Sequence, residues 1–135
     1  MEQIFSQLFY EVEKHRDTVL VTLIGAAGSA PRKSGSQMLV GADGRLTGTI
    51  GGGAVEGQSI AIAREMLADG TDSMTREFRL RRDGSEQSTG MVCGGDVTVH
   101  LQFIAADDPV WKTLAGDVLR RVALRQPGWL ALALD

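Results

Sequence analysis

A cluster of glycines at residues 48–57 lies between a β-like run and a helix-like run. Glycine adopts positive φ angles at little cost and lets another molecule approach the backbone, but each one costs about 0.5–1 kcal/mol relative to Ala inside a regular element. The helix predicted after the cluster would direct its free N–H groups back towards it, which suits an anion. The sequence therefore predicts a ligand site at Gly51, Gly52 and Gly53, with a phosphate-bearing ligand as the first candidate.

The composition is that of one ordered domain. With 135 residues the chain can bury a core of ordinary size, and its 43% hydrophobic and 23% charged residues are close to the globular average. The 17 glycines are the exception, because they concentrate in residues 25–35, 41–57 and 90–95. We therefore expect a single domain over residues 1–135 in which glycine-rich loops carry the function.

Charge and cysteine content exclude several classes of protein. The net charge is −3 and no basic tract is longer than residues 79–82, which disfavours nucleic-acid binding. A single cysteine, Cys93, cannot form a disulfide within the chain and fits a reducing compartment. The first 17 residues lack the apolar core of a signal peptide, and no membrane-length apolar run is present. We expect a cytoplasmic protein without membrane contact.

Hydrophobic periodicity and turn residues predict the order of the elements. The strand at residues 18–27 is apolar throughout, which is typical of a central strand buried on both faces. The predicted elements are a helix at 3–15, strands at 18–27, 37–40 and 45–50, a helix at 54–68 ending at Gly70, an edge strand at 73–82, a strand at 91–104, a helix from 109 and a final strand-like run at 129–134. This order indicates an α/β protein, with α+β as an alternative, and a mixed sheet flanked by about three helices.

Two charged candidate sites each have two interpretations that the sequence leaves open. The predicted loop at residues 28–36 contains Ser29 and the adjacent cations Arg32 and Lys33, which form either a solvated turn or an anion clamp after a buried strand. Glu56 falls in the first turn of the predicted helix. It is either a carboxylate favoured by the helix dipole, a contribution of about 0.3–1 kcal/mol, or a ligand-binding group.

Cys93 is followed by Gly94 and Gly95, which have no side chains to shield its sulfur. A free cysteine is commonly a small buried hydrophobe, but an accessible one can meet a soft metal or a sulfur-transfer partner. Neither the dinucleotide fingerprint nor the phosphate-binding P-loop signature is present. A nucleotide-binding enzyme fragment is therefore the weakest alternative.

Four ordered motifs carry a resemblance to a known family: Gly28-Ser29-Ala30-Pro31-Arg32-Lys33, Met38-x-Val40, Gly48-Thr49-Ile50-Gly51-Gly52-Gly53 and Cys93-Gly94-Gly95. They resemble the successive signatures of the XdhC/CoxI family over residues 18–104. The resemblance implies a chaperone rather than an enzyme. Such a protein would bind the molybdenum cofactor (molybdopterin), assist its sulfuration and insert it into a xanthine dehydrogenase-type molybdenum hydroxylase.

With the residue analysis, this resemblance implies a site that contains no catalytic residue. The pterin phosphate would lie on the backbone of the glycine cluster near the cation pair, and Cys93 would face the metal. The implied cofactor-binding residues are Ser29, Arg32, Lys33, Gly51, Gly52, Gly53, Glu56, Cys93, Gly94 and Gly95, with Cys93 as the metal ligand. The expected partners are the apoenzyme of a molybdenum hydroxylase, a cysteine desulfurase and further copies of the chain.

Two departures from the family pattern bear on these expectations. Many relatives resemble Gly-Gly-Gly-Cys at the cluster, whereas Ala54 stands here, so thiol chemistry at that position is absent or moved to Cys93. Many relatives also carry a C-terminal Rossmann-like domain that does not follow here, so we expect a short member or part of a longer protein. The alternative function is a non-catalytic dimerisation or docking domain that uses the first helix and residues 129–134.

Overall fold

The computed structural model describes residues 2–26, 35–80 and 95–124, and the strand-like run predicted at 129–134 lies outside these ranges. Within them the chain forms three helices and five strands. In chain order they are α1 (Glu2–Glu13), β1 (Thr18–Ala26), β2 (Gln37–Gly41), β3 (Gly44–Gly48), α2 (Gly53–Asp69), β4 (Ser73–Leu80), β5 (Gly95–Ile104) and α3 (Pro109–Ala123).

The strands form one sheet in the order β3-β2-β1-β5-β4. The central position predicted for β1 is confirmed. Its alternating side chains enter two separate cores, since Val19 and Val21 pack on one face and Leu20 packs on the other. The prediction of β4 as an edge strand is confirmed as well.

The α/β class with three helices is confirmed, but the prediction of a mixed sheet is wrong for the described strands. All four neighbouring pairs are antiparallel. Parallel neighbours need a crossover connection on one face of the sheet. Here β2 and β3 form a hairpin, and α2 with β4 carries the chain across to the far edge, from which β5 returns antiparallel between β4 and β1.

The helices cover both faces of the sheet. Helix α2 turns Val55, Ala63 and Met66 towards the face that carries Val19 and Val21. It ends at Gly70, as predicted, where a left-handed conformation (φ 74°) lets the Gly70 N–H donate to the Met66 carbonyl at 2.7 Å. None of the described helices combines the length and apolar character needed to cross a membrane.

Helices α1 and α3 pack together on the opposite face. Phe5 and Leu8 of α1 are fully buried there with Leu20, Leu39 and Ile104 of the sheet. Helix α3 begins at Pro109 with a side-chain cap, in which Asp108 accepts from the Val110 N–H at 3.0 Å. The fold is therefore a sheet between one helix and a helix pair.

The last residue of β3, Gly48, is held where no side chain fits. Its φ is +82°, and a Cβ atom would contact the Gln37 carbonyl oxygen and approach the Ile4 Cδ1 to 2.8 Å. Gly57, inside α2, has an ordinary helical backbone, and a Cβ atom there would meet no described atom within 4 Å. The two glycines therefore differ in whether the fold requires them.

We predict that Gly48→Ala lowers the free energy of unfolding by about 2–4 kcal/mol, because it combines positive-φ strain with overpacking. Gly57→Ala, the matched control, should raise it by about 0.5–1 kcal/mol through helix propensity. Urea denaturation of both variants measures the difference. Equal stability of the two variants would contradict the packing described for Gly48.

Candidate functional site

One end of the sheet brings together the described residues to which every segment with predicted site residues is attached. In the register of the sheet, Gln37 pairs with Thr22 and Gly48 with Met38, while Val97 pairs with Ala26 and Gly95 with Leu80. The end of β1, the start of β2, the end of β3, the end of β4 and the start of β5 therefore lie together. We call this the loop end of the sheet.

Half of the predicted site residues lie outside the described part of the chain: Ser29, Arg32, Lys33, Cys93 and Gly94. Their segments, 27–34 and 81–94, are attached to described strands at the loop end, between Ala26 and Gly35 and between Leu80 and Gly95. The remaining predicted residues, Gly51, Gly52, Gly53, Glu56 and Gly95, are described and belong to the same end. The attachment points are thus together, whereas the contacts of these ten residues with a ligand stay predictions.

The glycine loop, residues 49–52, joins β3 to α2 with a backbone that other residues rarely adopt. The φ angles are 141° at Gly51, 76° at Gly52 and 65° at Gly53. With ψ at −167°, Gly52 occupies a region that is essentially restricted to glycine. A Cβ atom built on Gly52 would meet no described atom within 4 Å, so within the described residues the outer side of Gly52 is open.

The inner side of the glycine loop is filled by the chain's own Glu56 carboxylate. Its Oε1 accepts the N–H groups of Ile50 and Gly52, both at 3.1 Å, and the hydroxyl of Thr49. The Gly51 N–H donates to the Thr49 Oγ1 at 3.1 Å. Glu56 therefore does more than complement the helix dipole, because it also fastens the preceding loop to the first turn of α2.

Arg45 completes this arrangement from β3. Its Nη1 lies 3.6 Å from the Glu56 Oε2 and donates to the Gly48 carbonyl at 3.1 Å. Partial burial raises the pKa of Glu56, but the hydrogen bonds from Thr49, Gly52 and Ile50, with the charge of Arg45, outweigh burial and hold that pKa below its ordinary value. The carboxylate is therefore ionised at neutral pH.

Sequence reasoning missed Thr49 and Arg45 as members of the site. For Thr49 a signal existed, since hydroxyl residues often accept the backbone N–H two residues ahead, as this one does from Gly51. Arg45 offered no signal, because its role depends on the pairing of β3 with β2 and on the position of α2.

A cavity of about 420 Å³ lies on the α1 side of the loop end. It is lined in part by Ser36, Gln37 and Gly48, next to the start of α1. Across the described residues, no group of three His, Cys, Asp or Glu side chains could hold a metal ion, and this cavity is no exception. The predicted metal ligand, Cys93, is outside those residues.

Comparison with known proteins gives consistent matches. The sequence model described as the XdhC and CoxI family matches residues 12–79. Over 112 residues the chain is 37% identical to the molybdenum cofactor insertion chaperone PaoD of Escherichia coli (strain K12), covering 83% of this chain and 33% of PaoD. Over 97 residues it is 31% identical to a protein of Bacillus subtilis (strain 168) named as a probable xanthine dehydrogenase subunit, covering 71% of this chain and 29% of the relative.

A solved structure shares the fold. A crystal structure described as a xanthine dehydrogenase from Bacillus halodurans superimposes with a TM-score of 0.71 at 22% identity, over 91% of this chain and 35% of that one. The chain therefore spans about a third of the length of PaoD and of this structural neighbour.

The lowered pKa of Glu56 predicts how stability depends on pH. Because folding favours the ionised form, the stabilisation is complete above the ordinary glutamate pKa of about 4.3 and is lost as pH falls through the lower pKa of the folded state. Glu56→Gln should therefore be less stable than wild type at pH 7, and the difference should shrink towards acidic pH. Urea denaturation between neutral and acidic pH tests this.

Glu65→Gln serves as the control for this measurement, since it makes the same charge change at an exposed position of α2. A stability difference between wild type and Glu56→Gln that does not change with pH would show that the carboxylate charge is not what holds the loop.

Proposed function

The chain belongs to the XdhC and CoxI family, and we propose from this membership that it acts in the maturation of molybdenum hydroxylases. Its role would be that of an accessory chaperone, not a catalyst. It would bind the molybdenum cofactor as cargo, assist its sulfuration and pass it to the apoenzyme of a xanthine dehydrogenase-type hydroxylase. The names of two relatives support this, one a cofactor insertion chaperone and the other a component of a probable xanthine dehydrogenase.

The observation that carries the proposal is that the attachment points of these segments lie together at the loop end. The open side of Gly52 allows a flat ring system to approach the backbone closely. The segments that contain Arg32 and Cys93 are attached to strands of the same end. A glycine platform, a cation pair and a thiol are the groups that a pterin, its phosphate and its molybdenum would need.

The cargo can be assigned to these groups by their chemistry. The N–H groups of Ile50 and Gly52 are already donated to Glu56, so we assign the cofactor phosphate to Arg32 and Lys33 rather than to the inside of the glycine loop. Ser29 supplies a hydroxyl in the same segment. Cys93, beside Gly94 and Gly95, would face the molybdenum or carry sulfur to it, with a cysteine desulfurase as the source.

We predict that the double variant Arg32→Ala, Lys33→Ala loses affinity for molybdopterin by about tenfold or more, because each charge-assisted hydrogen bond contributes about 1.5–3 kcal/mol. The melting temperature should change little. Fluorescence titration with molybdopterin measures the affinity. Lys112→Ala is the control, since Lys112 is an exposed cation at the start of α3 whose ion pair is with Glu13.

Two results would count against this prediction. Wild-type affinity in the double variant would show that the cofactor phosphate does not bind to Arg32 and Lys33. The absence of saturable molybdopterin binding to the wild-type chain, and to a longer parent if one exists, would end the proposal of a cofactor chaperone.

Cys93 is tested by Cys93→Ser. If the thiol touches molybdenum or carries sulfur, delivery of sulfurated cofactor to the apoenzyme should fall by about an order of magnitude, equivalent to about 1.4 kcal/mol, while thermal stability stays near wild type. If the thiol is packed in a core instead, the hydroxyl should cost about 1–3 kcal/mol of stability. If cofactor delivery falls only as far as the amount of folded protein falls, the ligand role of Cys93 is excluded.

A non-catalytic docking domain is favoured by one specific observation. Helix α3 has only Ala115 fully buried, while Val110 in its first turn is 66% exposed and Leu124, just after its end, is 58% exposed. Three substitutions separate the two functions. If Gly52→Ala and Arg32→Ala leave cofactor delivery intact while Val110→Asp abolishes it, docking is the function of this domain. Self-association of the chain stays a prediction under either function.

A further inference from the structure

The glycine loop has the form of an anion-binding nest whose anion is built into the chain. Successive backbone N–H groups at positive-φ glycines form a concave donor surface that ordinarily takes up a phosphate or a carboxylate. Here Glu56 Oε1 receives the N–H groups of Ile50 and Gly52 at 3.1 Å, and the Gly51 N–H goes to the Thr49 hydroxyl. That hydroxyl donates in turn to Glu56.

This arrangement offsets the conformational cost of the loop. Glycine loses more freedom on ordering than any other residue, so Gly51 and Gly52 of the loop, with Gly53 at the start of α2, need compensating interactions. Charge-assisted hydrogen bonds are about twice as strong as neutral ones, and Glu56 supplies three of them to the loop from a side chain that is 12% exposed. Arg45, at 3.6 Å from Oε2, is the charged partner that the structure places beside it.

We propose that Glu56, acting through Thr49, is the positioning residue of this site. It holds residues 50–52 so that the open side of Gly52 faces the cargo, and it keeps other anions out of the inside of the loop. This inference rests on the proposed function, because the cargo that meets Gly52 is the molybdenum cofactor. Glu56 itself does not touch the cargo in this arrangement.

A conservative pair of variants tests the positioning role. Thr49→Val removes the hydroxyl at an exposed position but keeps the side-chain shape, whereas Thr49→Ser keeps the hydroxyl. We expect Thr49→Val to weaken molybdopterin binding about tenfold, equivalent to about 1.4 kcal/mol, and Thr49→Ser to remain within about twofold of wild type. Both melting temperatures should stay near wild type. If the hydroxyl had a purely structural role, a loss of affinity would be accompanied by a loss of stability.

Inorganic phosphate serves as a probe that does not depend on the cofactor. In wild type, the amide NMR signals of Ile50, Gly51 and Gly52 should not move when phosphate is added, because Glu56 occupies the inside of the loop. In Glu56→Ala the same signals should shift and saturate as phosphate enters. The control is Glu65→Ala, an exposed carboxylate of the same helix, which should behave as wild type.

The outcomes separate this inference from the proposed function. If wild type binds no molybdopterin, the proposed function fails, and the phosphate titration alone decides whether Glu56 fills the loop. If Thr49→Val and Glu56→Ala bind molybdopterin as wild type does, the positioning role is wrong even though the chaperone role stands. Equal phosphate shifts in wild type and Glu56→Ala would also overturn it.

Discussion

The burial of β1 on both faces is the constraint on which the rest of the structure depends. A strand whose alternating side chains enter two cores needs a helical layer on each side, because neither face can be left to water. Helix α2 covers the face of Val19 and Val21, and the pair α1 and α3 covers the face of Leu20. The partners of β1 on its two edges, β2 and β5, then determine which loops meet at one end.

That end combines a rigid framework with a loop that needs its own support. The strands run to this end with their backbones hydrogen-bonded to one another. Gly48, the last residue of β3, lies so close to Ile4 of α1 and to the Gln37 carbonyl that no side chain fits. Beyond Gly48 the glycine loop is anchored by Ile50, which is 2% exposed in the core, whereas no described residue packs against the Cβ position of Gly52. The carboxylate of Glu56 adds order around Gly52 through hydrogen bonds, beside the order that the buried Ile50 side chain provides.

The features that are encoded within a few residues could be predicted from the sequence. They include the apolar run of β1, the Gly70 stop of α2 and the positive φ angles of residues 51–53. The antiparallel pairing of β5 with β1 depends on a register between residues about 80 positions apart, so a mixed sheet was the wrong expectation. In the site, the direction of the Glu56 side chain depends on how the loop folds back over α2, and Arg45 joins it only after β3 has paired with β2.

An internal carboxylate in the loop suits a protein that must release what it binds. A nest open to the cofactor phosphate would add several charge-assisted hydrogen bonds to the complex, and each factor of ten in affinity requires only about 1.4 kcal/mol. Tight binding of that kind slows dissociation, since affinity differences among related complexes reside mostly in the off-rate. With its inner donors already engaged by Glu56, the loop would offer the proposed cargo shape and close approach, and a chaperone built in this way would hold the cofactor without competing strongly against the enzyme that receives it.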